Sequence, residues 1–131
     1  MKNGEPQTLR FFIQICIKFA HLHIFSIFVK NITKMEITQR YKLEEFVDKH
    51  ADALEAINAW IQRVEEAQWK CHNDIKKDFP SADYVKNSRY VFNIKGNNYR
   101  IIVLIVFFAN ECNIRFVGTH AEYDKINASK I

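Results

Sequence analysis

The chain has 131 residues, of which 48% are apolar and 26% charged, as in an ordinary globular protein of one domain. Its three cysteines, Cys16, Cys71 and Cys112, are scattered and form no Cys-x-x-Cys pair. This pattern argues against a disulfide framework and against a zinc site. We therefore expect reduced thiols, no metal, no cofactor and a cytoplasmic protein.

The net charge of +4 is unevenly distributed along the chain. Residues 1–34 hold five basic residues and one acidic residue, and residues 35–68 hold four basic and eight acidic residues. Residues 69–131 hold ten basic and six acidic residues, which is a local excess of four positive charges. The C-terminal part is therefore the predicted location of a surface that binds a polyanion.

Residues 1–34 contain an apolar run, Leu9 to Val29, that charged and polar side chains interrupt. Lys18 lies near its middle, although a membrane-spanning helix needs about 20 apolar residues with few charges. We interpret residues 1–34 as an upstream extension ahead of a start at Met35, and residues 35–131 as the folded domain. A membrane anchor and an additional packed segment are the alternatives for this extension.

The first half of the domain is predicted to hold a short strand and two helices. Met35 to Gln39 alternates between apolar and polar residues, whereas apolar residues recur at helical spacing from Tyr41 to His50. A second helical stripe runs from Leu54 to Val64. Asp52 and Glu55 have the spacing of a capping box at its start.

The second half changes to the two-residue period that is typical of strands. Residues 68–87 are irregular, apart from a helical turn predicted at residues 73–79 ahead of Pro80. The elements predicted after them are a strand at 89–95, a Gly-Asn-Asn turn at 96–98, a strand at 99–109 covered on both faces, a turn at 110–111, a strand at 112–117 and a short turn or helix at 120–126. Helices followed by an antiparallel meander indicate an α+β fold.

Several side chains in this sheet are of the types that cleave RNA without a metal. A base takes the proton of a ribose 2′-hydroxyl, cations neutralise the charge on the phosphate, and an acid protonates the leaving 5′-oxygen. Strand parity predicts that Arg89, Asn93 and Lys95 share one face, and His120 is a residue type that titrates near neutrality. Each also has an ordinary structural interpretation, so the residues alone predict no more than RNA binding.

Two runs of sequence carry a resemblance to a known family. VFNIKGNNYR at residues 91–100 and IRFVGTHAEYD at residues 114–124 resemble the HigB toxins of the RelE/ParE group. The segments WKCHND at residues 69–74 and FPSADY at residues 79–84 are also similar. The resemblance extends from about Met35 to the C-terminus and does not include residues 1–34.

The resemblance implies a compact sheet with helices packed on it and the activity of a ribosome-dependent mRNA interferase that inhibits translation. The implied partners are mRNA on the ribosome and a HigA-type antitoxin with a helix-turn-helix. Operator DNA would be contacted only through that antitoxin, and no membrane would be involved. The neutral charge of residues 35–131 departs from the basic character expected of ribosome-binding toxins, so RNA affinity is expected from a localised basic face and not from the overall charge.

The resemblance and the strand pattern together give two sets of candidate residues. Arg100 and Lys95 are expected to bind phosphate and neutralise the transition state, His120 to move a proton, and Tyr123 or Asp124 to orient His120. The residues expected to bind RNA are Arg89, Asn93, Arg115, Lys76 and Lys77, although the two adjacent lysines are most simply a solvated pair.

Two other functions are open at this point. A ParE-like toxin would bind DNA gyrase and would not cut RNA, and a decayed member would bind RNA without catalysis. His120, in the run Thr-His-Ala-Glu-Tyr-Asp, favours the nuclease.

Overall fold

Regular elements occupy most of the chain after residue 33 in the computed structural model, which describes residues 34–131. The extension expected at residues 1–34 lies outside the described residues except for Lys34. The elements are β1 (Glu36–Thr38), α1 (Tyr41–Lys49), α2 (Leu54–Glu66), α3 (His72–Asp78), β2 (Asp83–Lys86), β3 (Arg89–Ile94), β4 (Tyr99–Val106), β5 (Glu111–Thr119) and α4 (His120–Tyr123). Single 3-10 turns lie at Ala51–Ala53 and Phe107–Ala109.

The strands form one mixed sheet in the order β1-β5-β4-β3-β2. β1 runs parallel to β5, and the other neighbouring strands are antiparallel. The predicted α+β fold is confirmed, with its short first strand, two helices and antiparallel meander. The helical turn predicted at residues 73–79 is α3, and the predicted turn at Asn110 has the left-handed φ of 52°.

The edge strand β2 has no counterpart among the predicted elements. Asp83, Tyr84 and Lys86 are exposed, and Val85 is half-buried. The apolar alternation by which a strand is recognised arises from burial of one face. Because β2 lies at the edge of the sheet with little burial, its sequence carries almost none of that alternation.

One face of β3 and β4 forms the floor of the hydrophobic core. Phe92 is buried there, and the rings of Trp60 and Trp69 pack on it with centroids 5.4 and 6.3 Å away. The helices contribute the buried side chains Leu43, Phe46, Ile57, Trp60, Val64 and Ile75. Each such burial contributes about 1.5–3 kcal/mol, so the helices are held on this side of the sheet.

The opposite side of β3 and β4 is called the outer face here, and it carries Arg89, Val91 and Asn93 from β3, and Arg100 and Ile102 from β4. Val91 and Ile102 are buried, so β4 is covered on both faces as predicted. Asn93 lies directly opposite Arg100 in the β3–β4 ladder. The outer face therefore brings guanidinium and amide groups together on the side away from α1, α2 and α3.

The capping box predicted at Asp52 and Glu55 is wrong. The residue before α2 is Ala53, which has no side-chain acceptor. Asp52 lies in the preceding 3-10 turn, where its carboxylate accepts hydrogen bonds from Lys95 Nζ at 2.8 Å and from Tyr99 Oη at 2.8 Å. Partners more than 40 residues away in sequence thus replace the local interaction that the motif indicates.

Candidate active site

A capping box at the end of β5 positions His120. The Thr119 hydroxyl accepts a hydrogen bond from the Glu122 amide at 3.2 Å, and the Glu122 carboxylate accepts one from the Thr119 amide at 2.8 Å. The His120 amide donates to the Asn98 carbonyl in the β3–β4 turn at 3.3 Å. These bonds fix the backbone of His120 against the turn that precedes Arg100.

The imidazole of His120 is oriented by Asp124, one helical turn further on. His120 Nδ1 donates to Asp124 Oδ2 at 3.1 Å, and both side chains are at least half exposed. With the Nδ1 hydrogen directed at the carboxylate, Nε2 is the basic nitrogen of the neutral ring. The pair therefore has the arrangement needed for a group that accepts and returns a proton.

Arg100 projects from β4 beside α4. It lies opposite Gly118 of β5 in the ladder, and its guanidinium carbon is 4.8 Å from the centroid of the Tyr123 ring. The Nε atom of Arg100 is buried and has no hydrogen-bond partner among residues 34–131. A buried N–H donor without a partner is costly, and an anionic oxygen is the acceptor that satisfies it best.

Gly118 provides the room for this arrangement. A Cβ atom at that position would lie 2.5 Å from Phe116 Cζ and 2.8 Å from Glu122 Oε1. Glu122 Oε1 is the same atom that accepts from the Thr119 amide. The absence of a side chain at residue 118 thus lets the capping box close against β5 beside Arg100.

Two further arginines meet elsewhere on the outer face. Arg89 donates to the Ile131 carbonyl oxygen through Nη2 at 2.8 Å and Nε at 3.2 Å, and Arg115 donates to the same oxygen through Nε at 3.2 Å. The Asn87 side chain donates to the Ser129 carbonyl at 3.0 Å. The segment 127–131 therefore supplies one oxygen to a position where two guanidinium groups converge.

Lys95 is placed apart from these groups. It lies beyond the end of β3 with a φ of 53°, so the expectation from strand parity that it shares a face with Arg89 and Asn93 is wrong. Its ammonium forms an ion pair with Asp52 at 2.8 Å. Hydrogen bonds from Lys95 and then Tyr99 lower the pKa of Asp52, and the bond to Asp52 raises the pKa of Lys95.

The two lysines of α3 also lie away from His120. Lys76 Nζ donates to the carbonyls of Pro80 at 2.7 Å and Ala82 at 2.6 Å, where it holds the connection from α3 to β2. Lys77 is exposed. Of this predicted pair, Lys77 is therefore the one whose side chain faces solvent.

Comparison with known proteins identifies the family. The family of HigB toxins, described as the RelE-like toxic component of a toxin-antitoxin system, matches residues 53–126. The chain belongs to this family. It is 33% identical to the mRNA interferase toxin HigB of Escherichia coli K12 over 94 residues, covering 70% of this chain and 89% of that relative. It is 29% identical to the mRNA interferase HigB of Escherichia coli O6:H1, of which it covers 91%.

The HigB resemblance drawn from residues 91–100 and 114–124 is thus confirmed, and both runs lie within the matched region. The structure of this HigB-family chain brings Arg100 into contact with Tyr123, which shares α4 with His120, and places Asn93 opposite Arg100. Sequence reasoning missed Gly118, and it missed the capping box although Thr119 and Glu122 have the required spacing. The Thr-x-x-Glu pattern was therefore a usable signal, whereas only the geometry reveals the role of Gly118.

Metal binding, membrane spanning and thiol reactivity are three further properties of the described residues. Between residues 34 and 131, no three His, Cys, Asp or Glu side chains are grouped to hold a metal ion. Over the same range, no helix has the length and apolar character needed to cross a bilayer. Cys71 is exposed, and Cys112 is fully buried, which raises the pKa of its thiol.

Proposed function

We propose that this chain is a metal-independent endoribonuclease that cuts mRNA, with Arg100 and His120 at the reacting phosphate. The observations that carry the proposal are the partnerless Arg100 Nε, whose guanidinium lies over the Tyr123 ring of α4, and the orientation of His120 on the same helix by the Asp124 carboxylate. The matched relatives bear the name mRNA interferase, which favours RNA cleavage over a gyrase-binding toxin or an inactive module.

The proposed reaction is an internal transfer of the phosphate. Nε2 of His120 takes the proton of the 2′-hydroxyl, and the 2′-oxygen forms a bond to phosphorus while the bond to the 5′-oxygen breaks. The imidazolium returns a proton to the 5′-oxygen, so the products are a 2′,3′-cyclic phosphate and a 5′-hydroxyl. Arg100 stabilises the charge on the phosphate oxygens in the transition state.

Tyr123 and the outer face have supporting roles in this proposal. The ring of Tyr123 lies beside the Arg100 guanidinium and limits its movement by a cation–π contact. Asn93, Arg89 and Arg115 are on the face that the RNA backbone would follow, and Lys77 would add a peripheral cation. Lys95 would act indirectly, by holding the β3–β4 turn through Asp52.

The proposed setting is the translating ribosome in the cytoplasm. The described site has few catalytic groups, and a ribosome would position the message and so supply the orientation that this small surface lacks. The proposed antitoxin is a HigA-type helix-turn-helix protein, through which the complex would contact operator DNA.

The test is induction of the full chain in bacteria, followed by mapping of mRNA ends. Wild type is expected to produce new ends within translated messages and to arrest growth. Arg100→Ala should lower cleavage about 10²–10³-fold, and His120→Ala about 10²–10⁴-fold. Lys130→Ala, an exposed cation outside the site, is the matched control. Full toxicity of both site variants would contradict the assignment, and growth arrest with intact mRNA and altered DNA supercoiling would favour gyrase binding.

A further inference from the structure

A pocket opens on the core side of the sheet, between α3 and the β2–β3 hairpin. Its volume is about 340 Å³, and its lining residues are His72, Tyr84, Ser88, Tyr90 and Phe107. Four of these five side chains are aromatic. Tyr84 belongs to the edge strand β2, Tyr90 to β3, His72 to α3 and Phe107 to the 3-10 turn that follows β4.

The rings of the pocket are arranged around a polar contact. His72 stacks on Tyr90 with centroids 5.7 Å apart and planes 29° apart, and Tyr84 lies 5.2 Å from Tyr90 and 5.9 Å from His72. His72 Nδ1 and Tyr90 Oη are joined by a hydrogen bond of 3.1 Å. The pocket thus combines ring faces for stacking with hydroxyl and imidazole groups for hydrogen bonds.

The two tyrosines differ in accessibility. Tyr90 is 3% exposed and forms the floor, whereas Tyr84 is 52% exposed and forms an open wall. Burial raises the pKa of Tyr90, so its hydroxyl is neutral at physiological pH. One part of the Tyr84 ring packs against Tyr90 and His72, and the exposed part is accessible to a ligand.

We propose that this aromatic pocket binds a nucleobase. Every nucleobase has an apolar face that stacks on aromatic rings and a polar edge that the Ser88 hydroxyl and the His72–Tyr90 pair can bind. Exposed lysines at positions 70, 77 and 86, on and beside the same elements, supply cations for the attached phosphate.

This pocket is separate from the Arg100–His120 site. Tyr90 pairs with Val103, which is three residues along β4 from Arg100, or roughly 10 Å. Tyr90 belongs to the core face, whereas Arg100 lies on the outer face. An RNA strand that occupies both places must therefore pass around the sheet, and the pocket can bind a base whether or not the chain cleaves RNA.

The experiment uses the full purified chain and two probes that cannot be cleaved. One is adenosine monophosphate, and the other is a 2′-O-methyl oligonucleotide that contains one 2-aminopurine, whose fluorescence falls when the base stacks. Tyr84→Ala should weaken binding of the 2′-O-methyl oligonucleotide about tenfold, and Tyr84→Phe should retain it. Tyr41→Ala is the matched control, because Tyr41 is also half exposed and lies on α1. His72→Gln is a second variant that does not depend on Tyr84.

The outcomes separate the sources of the base. Tyr84-dependent binding of both probes supports a site for free nucleotides and RNA, and dependence for the oligonucleotide alone supports an RNA site. Equal affinities of Tyr84→Ala, His72→Gln and Tyr41→Ala for both probes would overturn the proposal. So would a loss of antitoxin binding in Tyr84→Ala with nucleotide binding unchanged, since the pocket would then be a protein interface.

Discussion

His120 Nδ1 lies 3.1 Å from Asp124 Oδ2, one helical turn apart on the segment that a capping box attaches to β5. A carboxylate in that position selects the tautomer whose Nε2 is free to accept a proton and stabilises the imidazolium that forms. In the proposed reaction Asp124 would be a positioning residue, because its effect would pass through His120.

Asp124→Asn should lower the rate of RNA cleavage about tenfold while the melting temperature stays close to that of wild type. The amide retains the shape of the carboxylate but does not stabilise the protonated ring, so the loss should appear in kcat rather than in KM. Single-turnover cleavage of a defined mRNA on the ribosome, over a range of pH and of toxin concentration, measures it. Lys125→Ala, the neighbouring exposed residue, is the control. An unchanged kcat and pH profile in Asp124→Asn would show that the carboxylate has no part in the proton transfer.

Gly118→Ala should destabilise the fold by about 1–3 kcal/mol and should also reduce activity. The added Cβ would overlap Phe116 Cζ and Glu122 Oε1, so either the ring or the capping box must move. Chemical denaturation measures the free energy of unfolding. Gly96→Ala is an instructive comparison, because residue 96 has a φ of 68° with nothing within 4 Å of the added atom. Its cost should come from backbone strain alone, and its activity should remain near that of wild type.

Prediction from sequence succeeded where a single element carries the signal. The alternation in β3, the apolar run of β4 and the Gly-Asn-Asn turn lie within consecutive residues, and all three were predicted. The Arg100 and His120 assignments rest on two short runs and stay predictions. The ladder that places Arg100 opposite Gly118 contains a register shift between Ile102 and Val103. No local pattern encodes such a shift. The sequence therefore indicated Arg100 and His120 as candidates but did not give their relative positions in the sheet.

The misassigned residues Asp52 and Lys95 illustrate the same limit. Each fits a local pattern, the first a capping box and the second a strand face, yet each finds its partner 43 positions away. A side chain in a turn is free to take a long-range partner because the backbone does not fix its direction. Long-range pairing of this kind follows from packing of α2 against the sheet, which the sequence does not specify locally.

Stability should depend on pH through Asp52 and Lys95. The pKa of Asp52 is lowered from its usual 3.8. The contribution of Asp52 to the free energy of unfolding is therefore present above pH 3.8 and is lost as pH falls through the lowered pKa. The pKa of Lys95 is raised from 10.5, so the contribution of Lys95 is present below 10.5 and is lost as pH rises through the raised pKa.

Asp52→Asn is the variant that tests this pH dependence. The difference in free energy of unfolding between wild type and Asp52→Asn should be constant between about pH 5 and pH 9 and should shrink at either extreme. Denaturation with urea at a series of pH values measures it, with Asp48→Asn as the matched control on α1. A difference that stays constant down to about pH 2 would contradict the ion pair.

Deletion of residues 127–131 should strengthen binding of RNA to the outer face. The Ile131 carbonyl now accepts from both Arg89 and Arg115, so its removal frees donors that a phosphate oxygen can take instead. The dependence of affinity on salt should steepen, because each additional phosphate contact releases a further counterion. Titration of a non-cleavable oligonucleotide at several salt concentrations measures both effects.

Adding Arg89→Ala and Arg115→Ala to the deletion should remove the gain in RNA affinity. Weaker binding after deletion would instead mean that the segment holds the two arginines in place for RNA, since the same carbonyl would then act as a support rather than a competitor.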